Sequence, residues 1–425
     1  MDYDIGAVRA HFPSLARTGS DGRPVTRLDG PAGTQVPKEC LAAMRDYLER
    51  SNANTHGAFP ASRETDALLA DVRVGMADLL AVDDPDEVAF GANMTTLTFA
   101  LSRAIGAGLQ PGDEVVVTRL DHDANVAPWL AVARERELVV RWVGIRRDDC
   151  TLDLEDLERA LGPRTRLVAV GLASNAVGTI NPVADIAAMV HAVGARLWVD
   201  AVHAAPHLPI DVAWLGADFL VLSAYKVYGP HLGILWGRRE LLEALPPYHV
   251  RPAGDAIPGR FETGTQAHEL LAGLGGTLHY LEWLGTSQVG GPGEAGARDG
   301  QRRARPRAAL AAARTYETGL AQRLIARVGA VPGARIRGIV DPARADERCP
   351  TIAFTLAGHH PTDVARHLGD HGLNVWDGDY YAWELMRALG LAEAGGMIRV
   401  GSCTTTPPRR SSGWAPPWTS WWAAV

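Results

Sequence analysis

The stretch from Arg196 to Trp236, RLWVDAVHAAPHLPIDVAWLGADFLVLSAYKVYGPHLGILW, decides the fold because it holds three short apolar runs of strand length. The runs that predict strands, here and upstream, are RLWVD (196–200), FLVLS (219–223), LGILW (232–236), DEVVVT (113–118) and RLVAVG (166–171). Helical patterns, such as Val183–Val193, lie between most of them. Near-continuous apolar strands that alternate with helices are typical of a buried, mostly parallel sheet. We therefore predict an α/β fold, with a smaller α+β part in the last third of the chain.

Polar side chains follow several of the predicted strands, at the edge where open α/β sheets bind ligands. They are Asp200, Lys226, Asn175 and His122. A lysine held there in low-dielectric surroundings can lose its proton and attack an aldehyde, and an aspartate can pair with a pyridinium nitrogen. Taken alone, a lysine at such a position is more often a surface residue, and an aspartate more often caps a helix or begins a loop. Together, in this order, they predict pyridoxal phosphate (PLP) bound as a Schiff base to Lys226.

Several ordered motifs carry a resemblance to a known family. They are LDGPAGTQVP, GANMTTLTFAL, LDHDANVAPW, ASNAVGTINPV, VDAVHA, SAYKVYGPHLGIL, RFETGTQ and RVG. Over about Leu28 to Gly401 the chain resembles the class V aminotransferases, in particular their cysteine desulfurase-like branch. The resemblance implies PLP fold type I, with a large seven-stranded domain, a smaller C-terminal domain and a homodimer.

The resemblance also implies roles for individual residues. Lys226 forms the Schiff base, Asp200 pairs with the pyridine nitrogen, and His122 stacks on the ring and helps to move protons. The residues implied at the cofactor phosphate are Thr96, with Thr95 beside it, Ser223, and Thr265, which reaches the neighbouring subunit's site. Thr95 and Thr96 stand at the start of a predicted helix, which favours a phosphate. Asn175 is implied near the ring oxygen and the substrate, and Arg399 at the substrate carboxylate.

The chain departs from the family pattern at three places. His203 stands where desulfurases usually have a glutamine beside the ring oxygen, and Tyr225 where they have a phosphate-binding histidine. Both side chains still form hydrogen bonds, so we keep them among the cofactor-binding residues. WDGDYY (376–381) matches the stretch Arg-x-Gly-His-His-Cys that carries the persulfide-forming cysteine, so Tyr381 and Trp376 replace that cysteine and the arginine.

This third departure limits what the resemblance implies about the reaction. A phenol cannot accept sulfur as a thiolate does, and Cys349, which precedes Pro350, is more typical of a buried structural thiol. The prediction is a PLP enzyme that acts on a small amino acid, of the C–S or C–Se lyase type. The alternatives are an aminotransferase or epimerase of the same family, or a catalytically inactive binding protein. The presence of Lys226, Asp200 and His122, together with Arg399, argues against an inactive protein.

The domain organisation follows from the same patterns. We predict an N-terminal segment (1–27), a large PLP-binding domain (28–284), a flexible loop rich in Gly, Arg and Pro (285–307) and a small domain (308–401). The tail 402–425 is anomalous, because it holds four of the 12 tryptophans and no helical or strand period. One choice of codons, read in another frame, gives VHYNTPEEVERLG, which has a favourable helix start. We interpret the tail as the product of a frameshift in the gene or the sequencing read, which resequencing would test.

Composition sets the expected surroundings and partners. The 425 residues carry a net charge of −7 and no basic tract, so we expect no nucleic acid partner. The start lacks the pattern of a signal peptide, no apolar run is long enough to span a membrane, and the four cysteines are scattered, so the cytoplasm is the expected location. His203 and His207 are four apart but lie beside prolines, and we expect no metal there.

Overall fold

The computed structural model describes residues 3–19, 22, 24–289 and 300–407, which form an α/β fold as predicted. Its helices are α1 (Ile5–Arg9), α2 (Lys38–Arg50), α3 (Pro60–Leu80), α4 (Met94–Gly106), α5 (Ala127–Arg136), α6 (Leu154–Ala160), α7 (Val183–Ala192), α8 (Val212–Leu215), α9 (Arg239–Ala244), α10 (His268–Val289), α11 (Gly300–Gly329), α12 (Pro361–Asp370) and α13 (Trp383–Leu389). Its strands are β1 (Thr26–Arg27), β2 (Val88–Gly91), β3 (Glu114–Thr118), β4 (Val139–Val143), β5 (Ile145–Arg146), β6 (Thr151–Leu152), β7 (Thr165–Gly171), β8 (Arg196–Asp200), β9 (Phe219–Ser223), β10 (Gly233–Gly237), β11 (Ala334–Arg337), β12 (Thr351–Leu356), β13 (Leu373–Asn374), β14 (Trp376–Gly378) and β15 (Met397–Gly401).

The centre of the molecule is a seven-stranded sheet in the order β2-β10-β9-β8-β7-β3-β4. Its neighbouring strands are parallel except where β10 pairs antiparallel with β9 and β2. Every residue of β3, β9 and β10 is buried. Helices cover both faces of such a sheet, so its strands are apolar almost throughout, and this is why their positions could be predicted from the sequence.

The parallel strands bring their carboxyl ends to one edge of the sheet. Gly171, at the end of β7, lies opposite Asp200 at the end of β8, and Asp200 lies opposite Val221 in β9. Two short 3-10 turns begin just beyond this edge, Asp123–Asn125 after β3 and Ala224–Lys226 after β9. The polar residues that the sequence places after these strands therefore converge on one region.

The C-terminal part contains a four-stranded antiparallel sheet in the order β11-β12-β15-β14. A separate apolar cluster covers it, in which Ile352 and Phe354 of β12 and Ile398 of β15 pack with Val328 of α11. This sheet contacts the N-terminal part of the chain, since Gly401 at the end of β15 donates its N–H to the Leu28 carbonyl at 2.8 Å. The α+β character predicted for this region is present.

The prediction of a flexible loop over residues 285–307 is wrong at both ends of that range. Helix α10 continues through Val289 and α11 already begins at Gly300, while residues 290–299 lie outside the described part of the chain. Gly285 was interpreted as a loop residue, but a Cβ there would lie 2.0 Å from the Arg305 carbonyl oxygen. The glycine thus allows two helices to approach closely. Arg303 in turn pairs with Asp78 of α3 at 3.4 Å and with Asp83, just beyond that helix, at 2.7 Å, which holds the start of α11 against the end of α3.

The first residues of the anomalous tail pack against the body of the protein. Cys403 and Thr404 are buried, and the Thr404 hydroxyl donates to the Tyr228 hydroxyl at 2.7 Å. Arg9 donates from Nη1 to the Thr405 carbonyl at 2.7 Å. Residues 408–425 lie outside the described residues, so the frameshift hypothesis stays a prediction. Among the helices that the structure describes, none is both long and apolar enough to cross a bilayer.

Candidate active site

A cavity of about 520 Å³ opens at the carboxyl edge of the large sheet. The predicted site residues that line it are Thr95, His122, Asn175, Asp200, His203, Ser223, Tyr225 and Lys226. They come from five separate segments of the chain, and the parallel sheet brings them together. Thr96, Thr265 and Arg399 do not line this cavity.

Lys226 is a buried amine at the floor of the cavity. Burial and the nearby charge of Arg399 lower the pKa of Lys226 to about 7, although the carboxylate of Asp200 opposes the shift. Its Nζ donates to the carbonyl of Pro31 at 2.5 Å. Near neutral pH a large fraction of this side chain is therefore a neutral amine, which is the form that attacks a carbonyl carbon.

Asp200 lies in the same cavity as a second buried carboxyl group that the sequence analysis did not single out, Asp121. Burial raises the pKa of Asp200 to about 6, although its carboxylate accepts the N–H of Val202 at 2.8 Å. Burial raises the pKa of Asp121 to about 7, and the charge of Asp200 adds to this shift. The hydroxyl of Thr118 donates to Asp121 at 2.7 Å. The signal in the sequence was its position directly before His122, after a buried strand.

His122 is held as a neutral imidazole. Burial, followed by the charges of Lys226 and Arg399, lowers the pKa of His122 to about 4. Its Nδ1 accepts the N–H of Ala124 at 3.0 Å, which places the ring proton on Nε2. The ring of Tyr381 stacks on one face of the His122 imidazole, with 5.4 Å between the centroids and 23° between the planes.

One end of the cavity is built to hold an anion. Helix α4 begins at Met94, and its cap Asn93 accepts the N–H of Thr96 at 2.9 Å. Ser223 accepts the N–H of Met94 at 3.0 Å, which ties β9 to this helix start. The first turn of a helix favours a phosphate through its free N–H groups and its dipole. Asn93 and Met94 were missed in the sequence analysis, although an asparagine before a helical pattern is a capping signal.

The two threonines at this helix start have different positions. Thr95 lines the cavity. The Thr96 hydroxyl instead donates to the backbone carbonyl of Asn93 at 2.9 Å and serves the helix cap. The structure therefore favours Thr95 over Thr96 as the hydroxyl that faces a ligand.

The opposite end of the cavity carries Asn175 with Arg399 behind it. Arg399 donates from Nη1 to the Asn175 carbonyl at 2.8 Å, and the Asn175 amide donates to the Tyr380 carbonyl at 2.8 Å. Two buried polar atoms here have no hydrogen-bond partner within the described chain, Asn175 Oδ1 and Arg399 Nε. Buried polar atoms without partners are costly, so both are candidates to contact a bound polar molecule.

The remaining predicted residues complete the surroundings. His203 lies in the cavity wall, with Nε2 3.0 Å from the Thr351 hydroxyl. Tyr225 stacks on His231 at 5.1 Å between centroids, and Lys226 Nζ lies 5.2 Å from the Tyr225 ring centroid. Thr265 is exposed and lies outside the cavity of its own chain.

The cysteines do not contribute to the lining of this cavity. All four of them (Cys40, Cys150, Cys349 and Cys403) are buried, and none lines the cavity. Burial raises the pKa of Cys349 to about 12, so it is a structural thiol, as its sequence context indicated. The described side chains also contain no group of three His, Cys, Asp or Glu residues placed to hold a metal ion.

These residues fit PLP. The site offers an amine of lowered pKa, a buried carboxylate, a helix start for a phosphate, and two unpartnered polar atoms, Asn175 Oδ1 and Arg399 Nε. Together with a seven-stranded sheet, this set defines a fold type I PLP enzyme.

Comparison with known proteins leads to the same class. The sequence profile of the family described as Aminotransferase class-V matches residues 26–292 and 306–407. A probable cysteine desulfurase of Streptomyces coelicolor is 33% identical over 407 residues, which cover 91% of this chain and 90% of that protein. A probable cysteine desulfurase of Mycolicibacterium paratuberculosis is also 33% identical, over 92% of this chain, but the chain spans only 54% of that longer protein.

A solved structure extends the likeness to the fold. The apo cysteine desulfurase from Thermococcus onnurineus NA1 superposes with a TM-score of 0.82 at 25% identity, over 96% of this chain and 95% of that one. The chain therefore belongs to the class V aminotransferase family, in its cysteine desulfurase-like branch, and is a PLP-dependent enzyme.

Proposed function

We propose that this enzyme cleaves the bond between Cβ and sulfur or selenium of a small amino acid by β-elimination, and that no protein thiol accepts the released atom. The observation that carries this proposal is the position of the four cysteines, all buried away from the cavity. Tyr381 stands at the position matched to the persulfide-forming cysteine, and its ring covers His122.

The two ends of the cavity suit the binding of cofactor and substrate. The start of α4, with Thr95 and Ser223, would hold the phosphate, and Asp200 would keep a proton on the pyridine nitrogen by pairing with it. Arg399 would hold the substrate carboxylate, since its Nε is a buried donor without another partner. Asn175 Oδ1 is a buried acceptor, so it would face a donor group of the bound substrate or cofactor. When bound, PLP supplies the aldehyde for the Schiff base and a ring that withdraws electrons from the substrate Cα.

Lys226 is the group best placed to move a proton at Cα. Its amine is neutral in a large fraction of molecules near neutral pH, and it lines the cavity within reach of the charges of both Asp200 and Arg399. The neutral imidazole of His122 carries no charge that would compete with Arg399 for the carboxylate. A buried amine that alternates between neutral and protonated forms can take the Cα proton and later return it.

The fate of the sulfur distinguishes elimination from sulfur transfer. Transfer to a cysteine yields alanine and a protein persulfide, and it requires a thiolate next to the substrate sulfur. Without one, cysteine and water give pyruvate, ammonia and sulfide, a balanced reaction in which hydrosulfide leaves Cβ with the bonding electron pair. The described cavity contains no thiol, so it supports the second course.

The test is a product analysis of the purified holoenzyme with L-cysteine and L-selenocysteine. We expect pyruvate and sulfide or selenide in equal amounts, and no product from Lys226→Ala. Alanine as the main product would contradict the proposal, and so would keto-acid exchange or racemisation without release of sulfide. Colourless protein that takes up no PLP would point to the inactive alternative.

Tyr381→Cys gives the sharper comparison, because it installs a thiol at the matched position. We expect part of the product to change from pyruvate to alanine, together with a persulfide on the protein. Trp383→Cys is the matched control, since Trp383 is also exposed and lies two residues along the same segment. A Tyr381→Cys variant that forms no alanine would show that position 381 does not face the departing sulfur.

A further inference from the structure

Two consecutive tyrosines of the C-terminal part, Tyr380 and Tyr381, contact two different residues of the candidate site. The Tyr381 ring stacks on His122, and the Tyr380 ring lies under the guanidinium of Arg399, with 4.3 Å from Cζ to the ring centroid. We propose that Tyr380 and Tyr381 form a positioning pair, in which Tyr380 orients Arg399 for the substrate carboxylate and Tyr381 holds His122 flat against the cofactor ring. The inference rests on the proposed places of cofactor and substrate, but not on elimination as the reaction.

The backbone of the pair is the first argument. Tyr380 has a φ of 56° and Tyr381 a φ of 58°, both in the left-handed region that bulky side chains rarely adopt. Such backbone persists only where surrounding contacts hold it, and it is concentrated at functional sites. Two successive residues in this conformation direct their rings to different partners, one toward Arg399 and one toward His122.

The contacts that hold this backbone come from the cavity wall itself. The N–H of Asp123, next to His122, donates to the Tyr381 carbonyl at 2.7 Å. The side-chain amide of Asn175 donates to the Tyr380 carbonyl at 2.8 Å. The N–H of Tyr381 also donates to Asp379 at 2.9 Å. The pair is therefore fixed to the two segments that carry the cavity's imidazole and its amide.

Each ring has a physical reason to orient its partner. A guanidinium over an aromatic face gains cation–π attraction, and this attraction is larger where water is excluded, as it is for the buried Arg399. A ring stacked on one face of His122 leaves the other face free and limits rotation of the imidazole. Tyr381 is 71% exposed, so burial of its own surface does not explain its presence. The neighbouring Trp383, 51% exposed, has no such ring contact among the described residues.

The first experiment measures the spectrum of the bound cofactor. In Tyr381→Ala holoenzyme we expect a shift in the long-wavelength absorbance band and a smaller circular dichroism signal, because His122 loses the stacked ring that limits its rotation. Tyr381→Phe keeps the ring and should match the wild type. Trp383→Ala, the matched control, should match it too. A Tyr381→Ala spectrum identical to that of the wild type would overturn the assignment for Tyr381.

The second experiment measures binding of the substrate carboxylate, with L-alanine as the probe and the cofactor absorbance as the signal. L-Alanine has no leaving group, so this titration does not depend on the proposed elimination. Tyr380→Met fills the space without an aromatic face, and we expect it to raise the Kd for L-alanine about tenfold, as the loss of a buried cation–π contact would. Tyr380→Phe should stay within about twofold of the wild type.

Folding is controlled within the same set of variants. Thermal unfolding and cofactor content are measured for each, and Tyr380→Leu replaces Tyr380→Met if the latter does not fold. A folded Tyr380 variant without an aromatic ring whose Kd for L-alanine is unchanged would overturn the assignment for Tyr380. Failure of the elimination proposal alone would leave the spectra and the alanine affinities as expected here.

Discussion

At the scale of single residues, the lowered pKa of Lys226 gives a prediction about cofactor capture. Only the neutral amine attacks the aldehyde, and burial beside Arg399 lowers the pKa of Lys226 to about 7 from the ordinary 10.5. The rate at which apoprotein takes up PLP should therefore rise with pH, with a midpoint near 7, and level off above it. Stopped-flow absorbance across a pH series measures this rate.

Asp200→Asn is the control that tests the direction of the pKa shift. The carboxylate of Asp200 favours the protonated form of Lys226, so its removal should move the midpoint to lower pH. A wild-type midpoint near 10 would mean that Lys226 is not desolvated, and a shift to higher pH in Asp200→Asn would contradict the assigned interaction.

The residues that could be predicted from the sequence are those whose position along a strand decides where they lie. Lys226 and Asp200 follow buried apolar runs, and parallel pairing alone places them at one edge. Asp121 was not singled out, because its raised pKa depends on burial in the folded chain and then on the charge of Asp200, which is remote in sequence. Thr96 was predicted at the phosphate, but the direction of its hydroxyl depends on its helix cap, Asn93, and on the exact first residue of the helix.

At the scale of structural elements, the start of α4 depends on a glycine in the neighbouring strand. A Cβ on Gly233 of β10 would lie 2.4 Å from the carbonyl carbon of Asn93, the cap of α4. Gly233→Ala should therefore displace the helix start that we assign to the phosphate. We expect at least tenfold weaker PLP binding and a loss of about 1–3 kcal/mol in stability, the usual range for overpacking.

Fluorescence titration of apoprotein with PLP, together with urea unfolding, measures both quantities. Gly319→Ala is the matched control, since it lies in α11 and a Cβ there meets nothing within 4 Å. That control should gain about 0.5–1 kcal/mol from helix propensity and leave PLP affinity unchanged. Equal PLP affinity in Gly233→Ala and the wild type would argue against a phosphate at this helix start.

Elements whose limits depend on tertiary contacts are the ones the sequence could not define. The strands β3, β8 and β9 were predicted within a residue or two, because burial on both faces makes them apolar throughout. The Gly- and Arg-rich stretch 285–307 lacks that signal. Its glycine at 285 serves a close helix contact, and Arg303 serves an ion pair, neither of which has a periodic pattern in the sequence.

At the scale of the whole molecule, the predicted homodimer can be tested through Thr265, because this residue is implied to complete the active site of the neighbouring subunit. Thr265 is exposed and does not line the cavity of its own chain, whereas the family resemblance implies that it reaches the phosphate of the neighbouring subunit. Each site would then combine Lys226 of one chain with Thr265 of the other. The first expectation is a particle of twice the 45.5 kDa chain mass in light scattering.

Mixing two inactive variants tests the shared site directly. Lys226→Ala and Thr265→Val homodimers should each be defective, the first in forming the Schiff base and the second in holding PLP at low concentration. Exchange of subunits creates mixed dimers in which one site has both defects and the other has neither. Because that second site combines an intact Lys226 with an intact Thr265, up to about half of the mixed dimer's sites should bind PLP with wild-type affinity. If each site were built from one chain, no mixture could contain an intact site, and reducible PLP at low cofactor concentration would stay at the level of the parent variants.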